Sequence, residues 1–96
     1  MEFEWDEVKR RLNLKKHGID FLEAAELFSG PMLVRGDARQ DYGEERFIGF
    51  GQVKGRLLAV VFAKRGRTIR IISMRKGNSR EKARFNQEIV DRLAQN

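Results

Sequence analysis

The chain has 96 residues, with twenty Lys and Arg against fourteen Asp and Glu, a net charge of +6 and no cysteine. That length supports one modest hydrophobic core, so a single domain over 1–96 is expected. The missing cysteines exclude disulfides and thiolate metal sites. No apolar run approaches the roughly 18 residues of a membrane span, and the acidic start Met1 to Asp6 does not read as a secretory signal. Together these features fit the cytoplasm. A pI near 10.2 fits an anionic partner (nucleic acid, an anionic surface or an acidic protein) and equally a basic but passive solvated surface, which composition alone does not separate.

Asp6 is a good N-cap, and an acidic first turn is followed by Lys15, Lys16 and His17, which matches the helix dipole. Val8 and Leu12 are four apart and read as one packing face, and Gly18 is a natural stop. The pattern predicts a helix over 6–17. Asp20 and Glu23 have capping-box spacing, with Ile19 and Ala24 as a hydrophobic staple, so a second, well-buried helix runs to Ser29 before Gly30-Pro31.

Met32 to Arg35 reads as a short edge strand, and Gly36 to Glu44 as an exposed loop. Glu45 to Gly51 is aromatic enough for a strand, though its apolar residues do not alternate cleanly. Arg56 to Ala63 is almost continuously apolar, which predicts a central strand covered on both faces. After a tight hairpin at Lys64 to Arg67 comes a strand over 67–76, apolar inside and cationic at both ends. Asn78 and Glu81 repeat the capping-box spacing and open an amphipathic helix over 79–94, with Phe85, Ile89 and Leu93 every fourth residue. The order ααββββα, with short turns, predicts an α+β fold: two N-terminal helices, a four-stranded mainly antiparallel sheet and a C-terminal helix, with the helices on one face.

No spacing suits zinc, calcium, a P-loop or a serine triad, so no metal and no cofactor are expected. One chemistry stays open to arginine, lysine and a histidine. RNA carries its own nucleophile, the 2′-hydroxyl, and cations can stabilise the phosphorane that forms when it attacks. Arg75 and Lys76, between a strand end and a helix start, are the best phosphate-binding candidates. His17 could move protons near neutral pH, or could satisfy the last carbonyls of its helix. Arg65 and Arg67 sit at the hairpin tip, Lys16 at a helix end, and Arg70 reads as a solvated cross-strand partner. Trp5 reads as core.

The ordered set Phe3-Glu-Trp-Asp-Glu-x-Lys9, Asn13-x-x-Lys16-His17-Gly18-Ile-x-Phe21-x-Glu23-Ala24, Glu45-Arg46-x-Ile48-Gly49, Arg56-Leu57-Leu58-x-Val60-Val61 and Arg70-Ile71-Ile72-Ser73-x-Arg75-Lys76 with Glu81 resembles the BrnT toxins. That resemblance implies a RelE-like α+β fold and a ribonuclease toxin of a bacterial type II toxin–antitoxin system. It implies inhibition by BrnA, a ribbon-helix-helix antitoxin, with operator DNA bound only through the toxin–antitoxin complex. By position it implies His17, Arg65, Arg75 and Lys76 as catalytic candidates. Arg46 and Ser73, with Lys16 and Arg67 beside them, become RNA contacts, and Glu23 and Glu81 supporting carboxylates. The family usually has Ala at Met74, commonly Ala at Gly77, and often a Tyr near Phe85. The expected function is metal-independent cleavage of RNA. The alternative is a basic module that docks RNA or an acidic antitoxin with little cleavage.

Overall fold

The apolar run Arg56–Arg65 is the middle strand, β4, of a five-stranded mixed sheet in a computed structural model that describes residues 1–94. The other strands are β1 (Glu2–Glu4), β2 (Met32–Gly36), β3 (Arg46–Val53) and β5 (Thr68–Lys76), in the spatial order β1-β5-β4-β3-β2. The β2-β3-β4-β5 meander is antiparallel, whereas β1 pairs parallel to β5. Three helices complete the described chain: α1 (Glu7–His17), α2 (Ala24–Ser29) and α3 (Ser79–Ala94), with a 3₁₀ turn at Phe21–Glu23 before α2. The α+β class and the meander follow the sequence pattern. The fifth strand does not, and the expected second helix is split between the 3₁₀ turn and α2.

The helices lie on both faces of the sheet, not on one. On the first face Ile19, Phe21, Ala24 and Leu27 pack on Leu58, Val60, Phe62, Ile69, Ile71 and Met74. On the second, Phe85 and Ile89 of α3 meet Ile48, Phe50, Leu57 and Ala59. β4 feeds both clusters, which is why its run is continuously apolar. The irregular reading of β3 has the same cause. Ile48 and Phe50 face α3, while a Cβ on Gly51 would stand 2.7 Å from Leu27, so glycine lets α2 approach the other face.

Two of the sequence-derived helix faces turn out differently. Val8 and Leu12 are 66% and 61% exposed, so they form the outer side of α1. The inner side is polar. Asn13, the buried residue of α1, donates to the carbonyls of Ile19 (3.1 Å) and Met74 (2.8 Å) and accepts from the Met74 N–H (3.1 Å). It thus continues along β5 the pairing that β1 makes with Thr68, Ile69 and Arg70. Arg10 adds an ion pair to Asp20 at 3.1 Å. On α3, Phe85 is buried but Val90 and Leu93 are exposed, Val90 because five residues on from Phe85 is the outer side of the helix.

The capping signals are mostly as read. The Asp6 carboxylate accepts from the N–H groups of Val8 and Lys9, and Gly18 closes α1 at φ 71°. Asn78 and Glu81 make the reciprocal capping box of α3 at 2.8 and 2.9 Å. Ile19 and Ala24 are both buried. Glu23 departs from its expected cap and pairs with Arg56 at the start of β4. The loop after β2 is not wholly exposed: Asp37 is buried against Arg39 at 2.7 Å and Tyr42 at 3.3 Å.

Replacing Asn13 with alanine leaves buried backbone groups of Met74 and Ile19 without partners. The expected loss is about 2–3 kcal/mol in urea unfolding, against less than about 0.5 kcal/mol for the exposed Leu12→Ala control.

Candidate nucleic-acid interface

β5 alternates cleanly until Ile71, where Ile69 and Ile71 face the α2 side and Arg70 the α3 side. Then the register slips: Phe62 pairs with Ile71 but Val61 with Ser73, leaving Ile72 as an extra residue. This β-bulge inverts the pattern for the rest of the strand. Met74 joins the first cluster beside Val60, and Ser73 and Arg75 turn to the α3 face, opposite Val61 and Ala59. Were Ile72 paired in regular alternation rather than bulged out, Arg75 would face α2.

Register then places the cations in rows across that face. One row is Leu33, Phe50, Ala59 and Arg75; the next is Arg35, Ile48, Val61 and Ser73; the third holds Arg46, Ala63, Arg70 and Glu4. Neighbouring rows lie about 7 Å apart. α3 covers the first row and leaves the next two half-open, with Ser73, Arg46 and Arg70 all half-buried. The result is a shallow arginine-lined surface with an apolar floor.

Each arginine of these rows except Arg35 is aimed by a carboxylate. Arg75 donates to both oxygens of Glu81 at 2.8 and 2.9 Å, and Glu81 is also the capping residue of α3. The Arg75 guanidinium, with the Asn78 N–H, holds the Glu81 carboxyl down at about 2. Glu81 raises the Arg75 pKa in return, against a lowering contribution from the charge of Arg39. Arg46 pairs with Glu44 at 3.3 Å and lies 4.0 Å over the Tyr42 ring. Arg70 and Arg65 reach Glu4 at 3.8 and 3.7 Å, and Arg65 also reaches Glu44 at 3.3 Å. The pairs orient the guanidiniums and leave other N–H groups for a ligand.

The sequence candidates are therefore divided. Ser73, Arg75, Arg46 and Glu81 share one face. Arg65 pairs with Thr68 at the far end of β5, roughly 23 Å of strand from Arg75, so the two strand ends do not form one phosphate site. Lys76 is exposed on the opposite face, because consecutive strand residues alternate. His17 lies one turn beyond Asn13 on the inner side of α1, at the β5 edge, and its ring makes no hydrogen bond among the described residues. Lys16 and Arg67 are exposed away from the arginine rows. Glu23 is held by Arg56 on the α2 side. Trp5 packs edge-on to Phe21 as a core residue. Arg70 is the cross-strand partner expected from sequence, opposite Glu4 of β1 and paired with it, and it stands on the same face, half-buried.

Arg35 was not legible as a site residue. Arg35 shares parity with Leu33 on β2, but only the register shows that it stands in the Ser73 row. Among the described residues no group of three or more His, Asp and Glu could hold a metal ion, and no helix is long and apolar enough to cross a membrane.

An α+β domain with oriented arginines on one half-open sheet face belongs to the class of proteins that engage a polyanion. The model of the ribonuclease toxin BrnT, of type II toxin–antitoxin systems, matches residues 5–81, and the chain belongs to that family. The family implies an RNA target and an antitoxin partner. No curated protein matches the chain. Met74 is fully buried in the first cluster, and a Cβ on Gly77 would stand 2.6 Å from the Leu57 side chain.

Glu81 and Asp37, whose carboxyl is likewise held at about 2 by Arg39, make a pH prediction. Both folded values lie below the unfolded ones. Their stabilisation is therefore complete above about pH 4.5 and is lost as pH falls toward 2. Urea midpoints should drop across that window, and Glu81→Gln should flatten the drop while lowering the midpoint near pH 7.

Proposed function

We propose that this chain is a metal-independent endoribonuclease toxin whose reaction centre is the Arg75 and Ser73 end of the open face. The observation that supports this most strongly is the bulge, which turns Arg75 onto the face that already carries Arg70, Arg46 and Arg35. The RNA 2′-oxygen attacks the adjacent phosphorus and the bond to O5′ breaks. The products are a 2′,3′-cyclic phosphate and a 5′-hydroxyl. The 2′-hydroxyl proton leaves to solvent, and a solvent proton is taken up by O5′. Arg75 stabilises the charge that builds on the non-bridging oxygens, and its permanent charge and fixed fork suit that role. The Ser73 hydroxyl donates to the same phosphate. Arg46 and Arg70 hold the strand further along.

Glu81 is the positioning residue for Arg75 and is too acidic to act as a base at neutral pH. His17, Lys16 and Lys76, on α1 and the other side of β5, add to the field that draws RNA in, and Arg65 and Arg67 do so at the hairpin. Most of the rate then comes from orientation and charge, without a dedicated proton carrier. The RelE-like fold and a BrnA-type ribbon-helix-helix antitoxin belong to the same reading, the antitoxin acting by covering the arginine face. The half-open surface also suits the second reading, a docking module with little cleavage, because every arginine of the rows except Arg35 is already ion-paired.

With RNA and excess EDTA the protein should yield products ending in 2′,3′-cyclic phosphate. Arg75→Ala should cut the rate at least about 100-fold, and Lys76→Ala should change it by less than about fivefold. Binding without any product would leave the docking module as the function.

A further inference from the structure

Beside the open face, and sharing Arg35 and Glu81 with it, α3 and the strands β2 and β3 line a groove of about 380 Å³. Its floor is apolar: Leu33, Phe50 and Phe85. Its rim is cationic: Arg35, Arg80 and Arg84, with Arg92 at the closed end donating to the Met32 carbonyl at 3.2 Å. Two carboxylates stand among them, and both are engaged, Glu81 by Arg75 and Glu88 by Arg84 at 3.4 Å. The Arg35 guanidinium lies 5.6 Å over the Phe50 ring, so a planar cation and an aromatic ring meet at the mouth.

We infer that this groove is a nucleobase subsite for single-stranded RNA, taking one unstacked base beside the phosphate held at Arg75. The inference rests on the ribonuclease reading for its phosphate and on the groove's own geometry for its base. Size comes first. The volume falls at the small end of the roughly 300–1,000 Å³ of ligand sites, enough for a nucleotide and far too narrow for a duplex. Chemistry comes second. The apolar floor seats a base, the exposed Arg35 guanidinium offers a plane to stack on, and the rim arginines offer phosphate contacts, a combination that single strands use. Position comes third. Glu81 lines the groove and also holds Arg75, so a base in the groove and a phosphate on Arg75 belong to neighbouring nucleotides.

Sequence carried a partial signal. Arg80 and Arg84 are one turn apart on α3 and line the same side, each immediately before a residue that fixes the helix on the sheet, Glu81 and Phe85. Phe85 is buried beneath the groove and forms floor rather than rim.

The test uses the full chain and a 2′-O-methyl oligonucleotide carrying 2-aminopurine, which binds but cannot be cut. The single strand should bind at least tenfold more tightly than the same strand in a duplex. Titration should shift the NMR signals of Leu33, Phe50 and Phe85. The exposed double variant Arg80→Glu, Arg84→Glu should lose at least tenfold in affinity while keeping its far-UV spectrum and melting temperature. The slope of log affinity against log salt should fall by about 1.4, two phosphate contacts' worth. Equal affinity for duplex and single strand, or an unchanged slope in the double variant, overturns the subsite. Cleavage of unmodified RNA is read separately. A variant that cuts with unaltered KM leaves the ribonuclease standing and removes the groove, whereas groove binding without cleavage does the reverse.

Discussion

One β-bulge in β5 decides which face of this protein carries Ser73 and Arg75. Up to Ile71 the strand alternates with the sheet, and at Ile72 it slips by one against β4. Met74 is thereby kept in the core with Val60, and Ser73 and Arg75 are delivered to the α3 side. Burial drives the choice. A fully buried Met is worth roughly 1.5–3 kcal/mol, so the slip that buries Met74 is favoured and Arg75 follows on the opposite side. The position of the arginine is thus a by-product of core packing.

The Arg75 and Glu81 pair then converts that position into a fixed orientation. Glu81 uses one oxygen to cap α3 and both to hold Arg75, so the helix start and the strand end share one carboxylate. α3 in turn sets how much of the face stays open, because Phe85 and Ile89 cover only the end of the sheet near Leu57 and Phe50. At the other edge, Asn13 anchors α1 to the Met74 backbone, the residue between Ser73 and Arg75. The buried amide therefore stiffens the segment that presents the site. Core, cap and edge contact all converge on four residues of β5.

Much of the fold was legible because its signals are local. Asp6, Gly18, Asn78 and Glu81 mark helix ends through bonds made within a few residues, and the run in β4 announces a strand buried on both sides. β1 was not legible: three residues carry little pattern, and their pairing depends on Thr68 to Arg70, far along the chain. Val8 and Leu12 misled because α1 is held by Asn13 and Arg10 rather than by an apolar stripe. For the site, the residue types were readable and their grouping was not. The spacing of Ile69, Ile71 and Met74, two and then three, does record the bulge. Its meaning, that Arg75 joins Arg70 while Lys76 leaves, needs the register against β4. The same holds for Arg35, whose row is set by three strand pairings at once.

The account stands on Arg75, Ser73 and Arg35 facing the RNA together, with Lys76 and His17 outside that face. Paramagnetic relaxation from a spin label attached beside the central phosphate of a bound, uncleavable 2′-O-methyl strand reads this directly. The strongest broadening is expected at the backbone amides of Arg35, Ser73 and Arg75. Strongest broadening at His17 and Lys76, with the arginine face unaffected, would contradict it.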